Sequence, residues 1–353
     1  MSFSFGFTNE DFSDDELEGQ SVVAQTQPQE HRDPLDQIKL DANTQPKLHE
    51  LSSLLGTLTN VRLTFDNYTT GKGNIIYRRE LFDIKHQVMM EEDENNNEMI
   101  NDILVGENKD DLKKDVYEGG FKSWECSYDS VDHISEMIKL GKLNQYKHIL
   151  ELGCGTALPT CFLLLNYFNG NIKPAATQIT LSDFNYEVLR LVTLPNILIH
   201  WASTLDPQVL YELSNANGSA LNNDELLITP QLITHFESSL HNLNINLQFI
   251  SGAWSNPFID LLPNHPIDFL ITSETIYSPE SLPILAETIL AVLSPVKSSA
   301  LVAAKNIYFG VGGSVIEFVA YLQTRIATLP FVLDVLDVDD TQLKRSIVCI
   351  NTK

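Results

Sequence analysis

Apolar positions along the chain follow two rhythms. Short runs of apolar and β-branched residues recur at His148–Leu152, Gln178–Ser182, Leu247–Ser251, Ile267–Thr272 and Ala300–Lys305, as in strands buried on both faces of a parallel sheet. Between them apolar residues return every third or fourth position, which predicts helices over Tyr128–Leu140, Thr160–Phe168, Tyr186–Thr193, Pro279–Leu293 and Gly313–Thr328. A closing pair of strands is expected at Phe331–Leu336 and Ile347–Ile350. Seven strands alternating with helices predict a doubly wound α/β sheet with its ligands at the carboxyl ends of the strands.

Outside this alternation the chain changes character. Residues 1–45 are polar and acidic and are expected to be disordered. Their tip sets Phe3, Phe5 and Phe7 at period two, a pattern suited either to another protein's sheet edge or to a loose tail. Residues 46–90 predict a small folded extension, a helix and two short strands around the turn Tyr68–Gly73. Residues 91–116 open on Glu91–Glu98, all Glu, Asp and Asn, and are expected to be an acidic linker to a main domain spanning 117–353. That domain carries an insertion at about 204–246, with helical turns at Gln208–Leu213 and Gln231–Leu240, to which the sequence assigns no role.

Composition narrows the partners. With 353 residues the chain has room for two domains, or for one doubly wound domain with tails. A formal net charge of −24 argues against a direct grip on nucleic acid or an anionic membrane, and favours a basic polypeptide. The four cysteines, Cys126, Cys154, Cys161 and Cys349, match no metal or redox spacing and are expected to be reduced thiols. The start lacks a basic leader, and no apolar run reaches the roughly 18 residues of a membrane span, so a soluble protein that is not exported is expected; reduced thiols suit the cytoplasm and nucleus, and a monomer is expected.

The candidate chemistry centres on Lys147–Thr160, KHILELGCGTALPT. Gly153 and Gly155 give a strand-to-helix turn without Cβ atoms, against which a nucleotide-like ligand can lie. Leu158 stands where a dinucleotide fingerprint has its third glycine, which argues against an oxidoreductase. Asp183, ending the second strand, is placed either to accept ribose hydroxyls or to cap the next helix, a role Asn185 could take instead. Gly252, Ala253 and Trp254 have the composition of an adenine pocket, or of a core tryptophan beside small residues. Ser273, Glu274 and Tyr277 bring polar groups to the end of the fourth strand, where a surface loop would look the same.

Several ordered motifs add to this: YEGGFKSWECSYD (Tyr117–Asp129), LELGCGTALP (Leu150–Pro159), SDFNYEV (Ser182–Val188), TLPN (Thr193–Asn196), SGAWS (Ser251–Ser255), ITSETIYSP (Ile271–Pro279), AAKNIYFGVGGS (Ala303–Ser314) and LKRSIV (Leu343–Val348). With them the chain resembles the histidine protein methyltransferases, a branch of the seven-strand, Rossmann-like methyltransferases. It departs at Thr156 and Ala157, where Ser-Gly is common, and at Ala253, where an acid is frequent. The resemblance implies S-adenosyl-L-methionine as cofactor and a histidine of a basic large-subunit ribosomal protein as acceptor, with a link to ribosome biogenesis and translation. Carried over by position, Ser123, Trp124, Glu125, Cys126, Ser127, Gly153, Asp183, Phe184, Asn185, Gly252, Ala253, Trp254 and Ser273 are expected at the cofactor. Glu274 stands where related lysine enzymes carry the Asp of a DxxY motif, and is expected to orient the acceptor imidazole, with Tyr277 lining its channel and Lys305, Tyr308 and the turn of Gly310, Gly312 and Gly313 at the rim, unless that strand and its glycine loop are scaffold only. A lysine acceptor, or a non-catalytic ribosomal-protein chaperone, remains the alternative.

Overall fold

A computed structural model of the chain describes residues 33–91, 119–173, 176–215, 221–263, 266–338 and 343–353. The Phe3, Phe5 and Phe7 tip and the acidic linker beyond Glu91 lie outside them. The described strands are β1 (Lys47–His49), β2 (Arg62–Thr69), β3 (Ile75–Arg79), β4 (His148–Leu152), β5 (Thr177–Asp183), β6 (Glu225–Leu227), β7 (Ile245–Ser251), β8 (Phe269–Ser273), β9 (Ser299–Lys305), β10 (Phe331–Val338) and β11 (Arg345–Thr352).

Eight strands form one sheet in the order β1-β7-β5-β4-β8-β9-β11-β10. The five strands from β7 to β9 are parallel, β11 runs antiparallel between β9 and β10, and β1 lies antiparallel on the far edge of β7. Side chains alternate between two cores. Ile149, Ile179, Phe249, Phe269 and Leu301 join the layer of the helices Glu125–Lys139 and Leu158–Phe168. Leu150, Ile250, Leu270, Ala300 and Val302 join the layer of Ser281–Val292 and Val315–Ile326. From β4 the chain winds outward to β5 and β7, then returns to β8 on β4's other side, so the strand order reverses there. A crevice opens at such a reversal, outside the carboxyl ends of the strands.

The helix expected to stop at Thr193 runs on instead. A turn at Tyr186–Val188 passes into a π-helical segment, Leu189–Thr193, and then into the helix Leu194–Ala202. Pro195 has no N–H to give the carbonyl four residues back and crowds that turn, and a widened turn relieves the crowding. The carbonyl left over is that of Leu191, and the buried Arg79 guanidinium donates to it at 2.7 Å.

The insertion and the N-terminal extension meet. β6, from the insertion, pairs with β2, which pairs with β3. Leu232 and Phe236 from the insertion and Leu54, Leu63 and Ile76 from the extension are buried in the core that covers one face of the main sheet. Residues 33–45, which composition assigns to a loose tail, are ordered: Pro34–Gln37 forms a 3-10 turn capped by Asp33, Leu35 is buried, and Thr44 accepts a hydrogen bond from the Ala253 N–H. One buried leucine and a few polar anchors hold a segment that reads as hydrophilic.

Candidate active site

Glycine geometry shapes the crevice. Gly153 has φ +58°, and a Cβ there would lie 2.7 Å from Thr275 Cγ2 and 3.4 Å from the Trp254 indole. Gly155 has φ +50° and packs against the Gly120 carbonyl. The turn therefore presents bare backbone in a conformation that L side chains disfavour. Its N–H groups are fixed from the neighbouring strand: that of Gly155 donates to Asp183 Oδ2 at 2.9 Å and that of Cys154 to the Ser182 carbonyl at 2.8 Å.

Asp183 faces the cavity and also accepts from the Asn185 N–H at 3.1 Å, while the Asn185 side chain makes no cap bond of its own. The Asp183 carboxylate thus braces both the glycine turn and the start of the next helix while lining the cavity. Burial lifts its pKa to about 6, against the pull of the Asn185, Gly155 and Phe184 N–H groups. Glu151, whose place in the motif suggested no role, lies on the cavity wall, where burial drives its carboxyl to about 8 although Thr160 donates to it.

Of the expected cofactor residues, Trp124, Ser127, Gly153, Gly155, Asp183, Phe184, Gly252, Ala253, Trp254 and Ser273 line this cavity, together with Glu274 and Tyr277. Ser123, Glu125, Cys126 and Asn185 are not among the residues that line it. Ser123 bonds Thr156, Glu125 pairs with Lys305 at 3.0 Å, and the Cys126 N–H donates to Glu274 Oε1 at 3.3 Å. Sequence patterns also missed Ile38, Ser281 and Ile284, which line the cavity alongside Trp254. Ile38 arrives on the N-terminal strap and carries no motif.

A second cavity adjoins the first. Trp124, Glu274 and Tyr277 belong to both, and Lys305, Ile307, Tyr308, Phe309, Val311 and Leu343 complete it. Glu274 sits between them with its side chain 7% exposed and its backbone at φ 60°, a strained conformation for a residue with a Cβ. Its carboxylate lies 3.7 Å from the Lys305 ammonium, and Tyr308 lines the second cavity with it. Burial pulls the Lys305 pKa down, but the carboxylates of Glu274 and Glu125 outweigh this and raise it. Burial, with Glu274 alongside, holds the Tyr308 hydroxyl protonated far above its ordinary range.

No family model matches the chain. Histidine protein methyltransferase 1 of Saccharomyces cerevisiae is 42% identical over 378 residues, covering 100% of this chain and 99% of that one. Its namesake in Schizosaccharomyces pombe is 33% identical over 350 residues, covering 98% and 92%. The chain belongs to the histidine protein methyltransferases. A homolog of that protein in Bos taurus is 30% identical over 243 residues, 67% of this chain and 56% of its own.

The cofactor of this methyltransferase is S-adenosyl-L-methionine, and the residues present fit it. Gly153 and Gly155 bring bare backbone to the cavity wall, where a ligand can lie against it. Asp183 offers an acceptor on the same wall, Ile38, Trp254 and Ile284 offer apolar surface for a base, and Glu151 adds a buried carboxyl. All four cysteines are buried free thiols, and Cys126 and Cys154 are driven well above the ordinary thiol range by burial, so neither is a nucleophile. Among the described residues no group of His, Cys, Asp and Glu is placed to hold a metal ion, and no helix is long and apolar enough to cross a membrane.

Proposed function

We propose that this methyltransferase transfers a methyl group to a ring nitrogen of a histidine in a basic protein of the large ribosomal subunit, in the cytoplasm and nucleus, and that Glu274 orients the acceptor. The observation that carries this is the position of Glu274, a buried carboxylate at the junction of the cofactor cavity with a second, solvent-facing one. The bound cofactor supplies an electrophilic methyl group on a sulfonium. The chain's own task is to bring in a lone pair and align it, which makes proximity and orientation the main catalytic terms.

Imidazole has an ordinary pKa of about 6.5 and is mostly neutral near pH 7, whereas a lysine at about 10.4 must first be deprotonated. A histidine acceptor needs instead the right tautomer, with the attacking nitrogen bare and the other one protonated. A carboxylate that accepts the second N–H selects that tautomer and stabilises the imidazolium formed, as a buried Asp does for the histidine of serine hydrolases. The Cys126 N–H and the Lys305 ammonium both address Glu274 Oε1, which fixes the carboxylate in place. Tyr277, whose carbonyl is held by the Gly313 N–H at 2.9 Å, walls the channel.

The test is Glu274→Gln with labelled cofactor and purified large-subunit proteins. Turnover should fall by about 100-fold or more, within the range of general acid–base and orienting groups, while calorimetry shows S-adenosylhomocysteine bound as in the wild type. Unchanged turnover removes the role of Glu274. Mass spectrometry that finds the label on lysine, or on no large-subunit protein, removes the acceptor.

A further inference from the structure

Resting on the histidine reading above, we infer that the turn Ile307–Val311 is a subsite for a bulky apolar side chain lying within two positions of the acceptor histidine, on an extended, basic segment of the substrate. The second cavity has two sides. Trp124, Glu274 and Tyr277 face the reaction site, and Ile307, Phe309 and Val311 form the outer rim. Ile307 is 51%, Phe309 77% and Val311 43% exposed. Large apolar side chains gathered around the mouth of a site mark a contact surface.

The rim is held rigidly to the chemistry. Within the turn, the Tyr308 N–H donates to the Gly313 carbonyl and the Gly312 N–H to the Tyr308 carbonyl, while the Gly313 N–H donates to the Tyr277 carbonyl, each at 2.9 Å. A Cβ on Gly313 would collide with the Ile276 carbonyl and the Tyr277 backbone, so only glycine lets the turn dock there. Side chains diverge along it: Tyr308 is buried against Glu274, while its neighbours Ile307 and Phe309 are exposed. An imidazole brought to Glu274 therefore leaves the next side chains of its own strand over the apolar rim. Beside this cavity the Glu125 side chain, paired with Lys305, is 51% exposed, and the sequence as a whole carries a net charge of −24, which favours basic residues beyond the apolar one.

The experiment uses the full chain, labelled S-adenosylmethionine and a synthetic peptide library with a fixed histidine, two randomised positions on each side and lysine-rich ends. Wild-type enzyme should enrich Trp, Phe, Leu or Ile at one of those positions about tenfold over Gly or Asp, the discrimination one apolar contact gives. Phe309→Ala should flatten that preference and leave S-adenosylhomocysteine affinity unchanged. Labelled histidines without apolar enrichment, or a preference that survives Phe309→Ala together with Ile307→Ala, overturn the subsite. Transfer to histidine in large-subunit proteins but to no peptide overturns it and spares the acceptor reading, whereas no histidine transfer anywhere overturns both. A wild-type dimer that Phe309→Asp dissolves, with peptide preference unaltered, assigns the rim to a second copy of this chain and overturns the proposal.

Discussion

At the scale of single residues the site depends on conformations that only certain side chains tolerate. Gly153→Ala places a methyl group 2.7 Å from Thr275 Cγ2 at φ +58°. Thermal or denaturant unfolding should show a loss of about 1–2 kcal/mol from the left-handed backbone alone, and S-adenosylhomocysteine should bind about tenfold more weakly or worse, because the displaced Thr275 and Trp254 close the cradle. Glu151 makes a second prediction, this time in pH. Its carboxyl titrates near 8 in the folded protein against an ordinary 4.5, so between those values the folded state keeps a proton that the unfolded chain has lost. Stability from this group is complete below 4.5 and falls as the pH rises to about 8. A ligand with an ammonium group binds the ionised form, so its affinity should rise over the same interval with release of a proton, measurable by calorimetry in buffers of different ionisation heat. Glu151→Gln should flatten the ligand-free stability slope above about pH 7, where Asp183 with its pKa of about 6 is largely ionised, and weaken S-adenosylhomocysteine about tenfold, as for one lost hydrogen bond to a charged group. The glycine turn and Asp183 were legible in the sequence because their residue types are dictated by backbone conformation at a strand end. Glu151 was printed in the same motif, yet its chemistry comes from total burial, which a local string does not record.

Among the elements, those that the chain's apolar rhythm specifies formed where expected, and those that depend on distant partners did not announce themselves. β4, β8 and β9 are covered on both faces, so their composition alone marks them. β1 is three residues with one half-buried position, and only the open edge of β7 makes it a strand. The union of β2 with β6 joins segments some 160 positions apart, as in the register of Arg62 with Leu227, and no local pattern can foresee that. The same is true of the strap before β1, which brings Ile38 to the cofactor cavity and seats Gln45 and Pro46 against Gly252, where a Cβ would approach Pro46 Cα to 2.7 Å. A chain beginning at Pro46 should keep the far-ultraviolet circular dichroism of the sheet and lose about tenfold in S-adenosylhomocysteine affinity, the scale of one apolar wall removed from a pocket. Gly252→Ala, which forces the strap away without deleting it, should reproduce much of that loss. Unchanged affinity in the truncated chain would show that the pocket closes without the strap.

Over the whole molecule, charge bears on how the proposed basic substrate would arrive. The chain carries 47 acidic residues against 23 basic ones, and acidic clusters stand at Asp14–Glu18 and Glu91–Glu98, on either side of the extension. A basic protein approaching such a surface is steered by a long-range field, and at 0.15 M ionic strength the screening length has shrunk to about 8 Å. Capture of the substrate should therefore be far more sensitive to salt than the transfer step, which takes place between groups already in contact. Raising ionic strength from 0.05 to 0.3 M should lower kcat/KM for a basic protein substrate about tenfold, within the span of steered association rates. Over the same change kcat should stay within about twofold, since the charged groups at the site are buried and in contact, where salt screens them little. RNA gives an independent readout of the same physics. An acidic enzyme should show no retardation with RNA alone, and RNA should inhibit only by competing for the basic substrate, so that excess substrate restores the full rate. If RNA is retained by the enzyme itself, or if kcat rather than KM carries the salt dependence, the acidic surface is not what recruits the substrate, and recognition falls to the short-range contacts around Glu274 and the apolar turn.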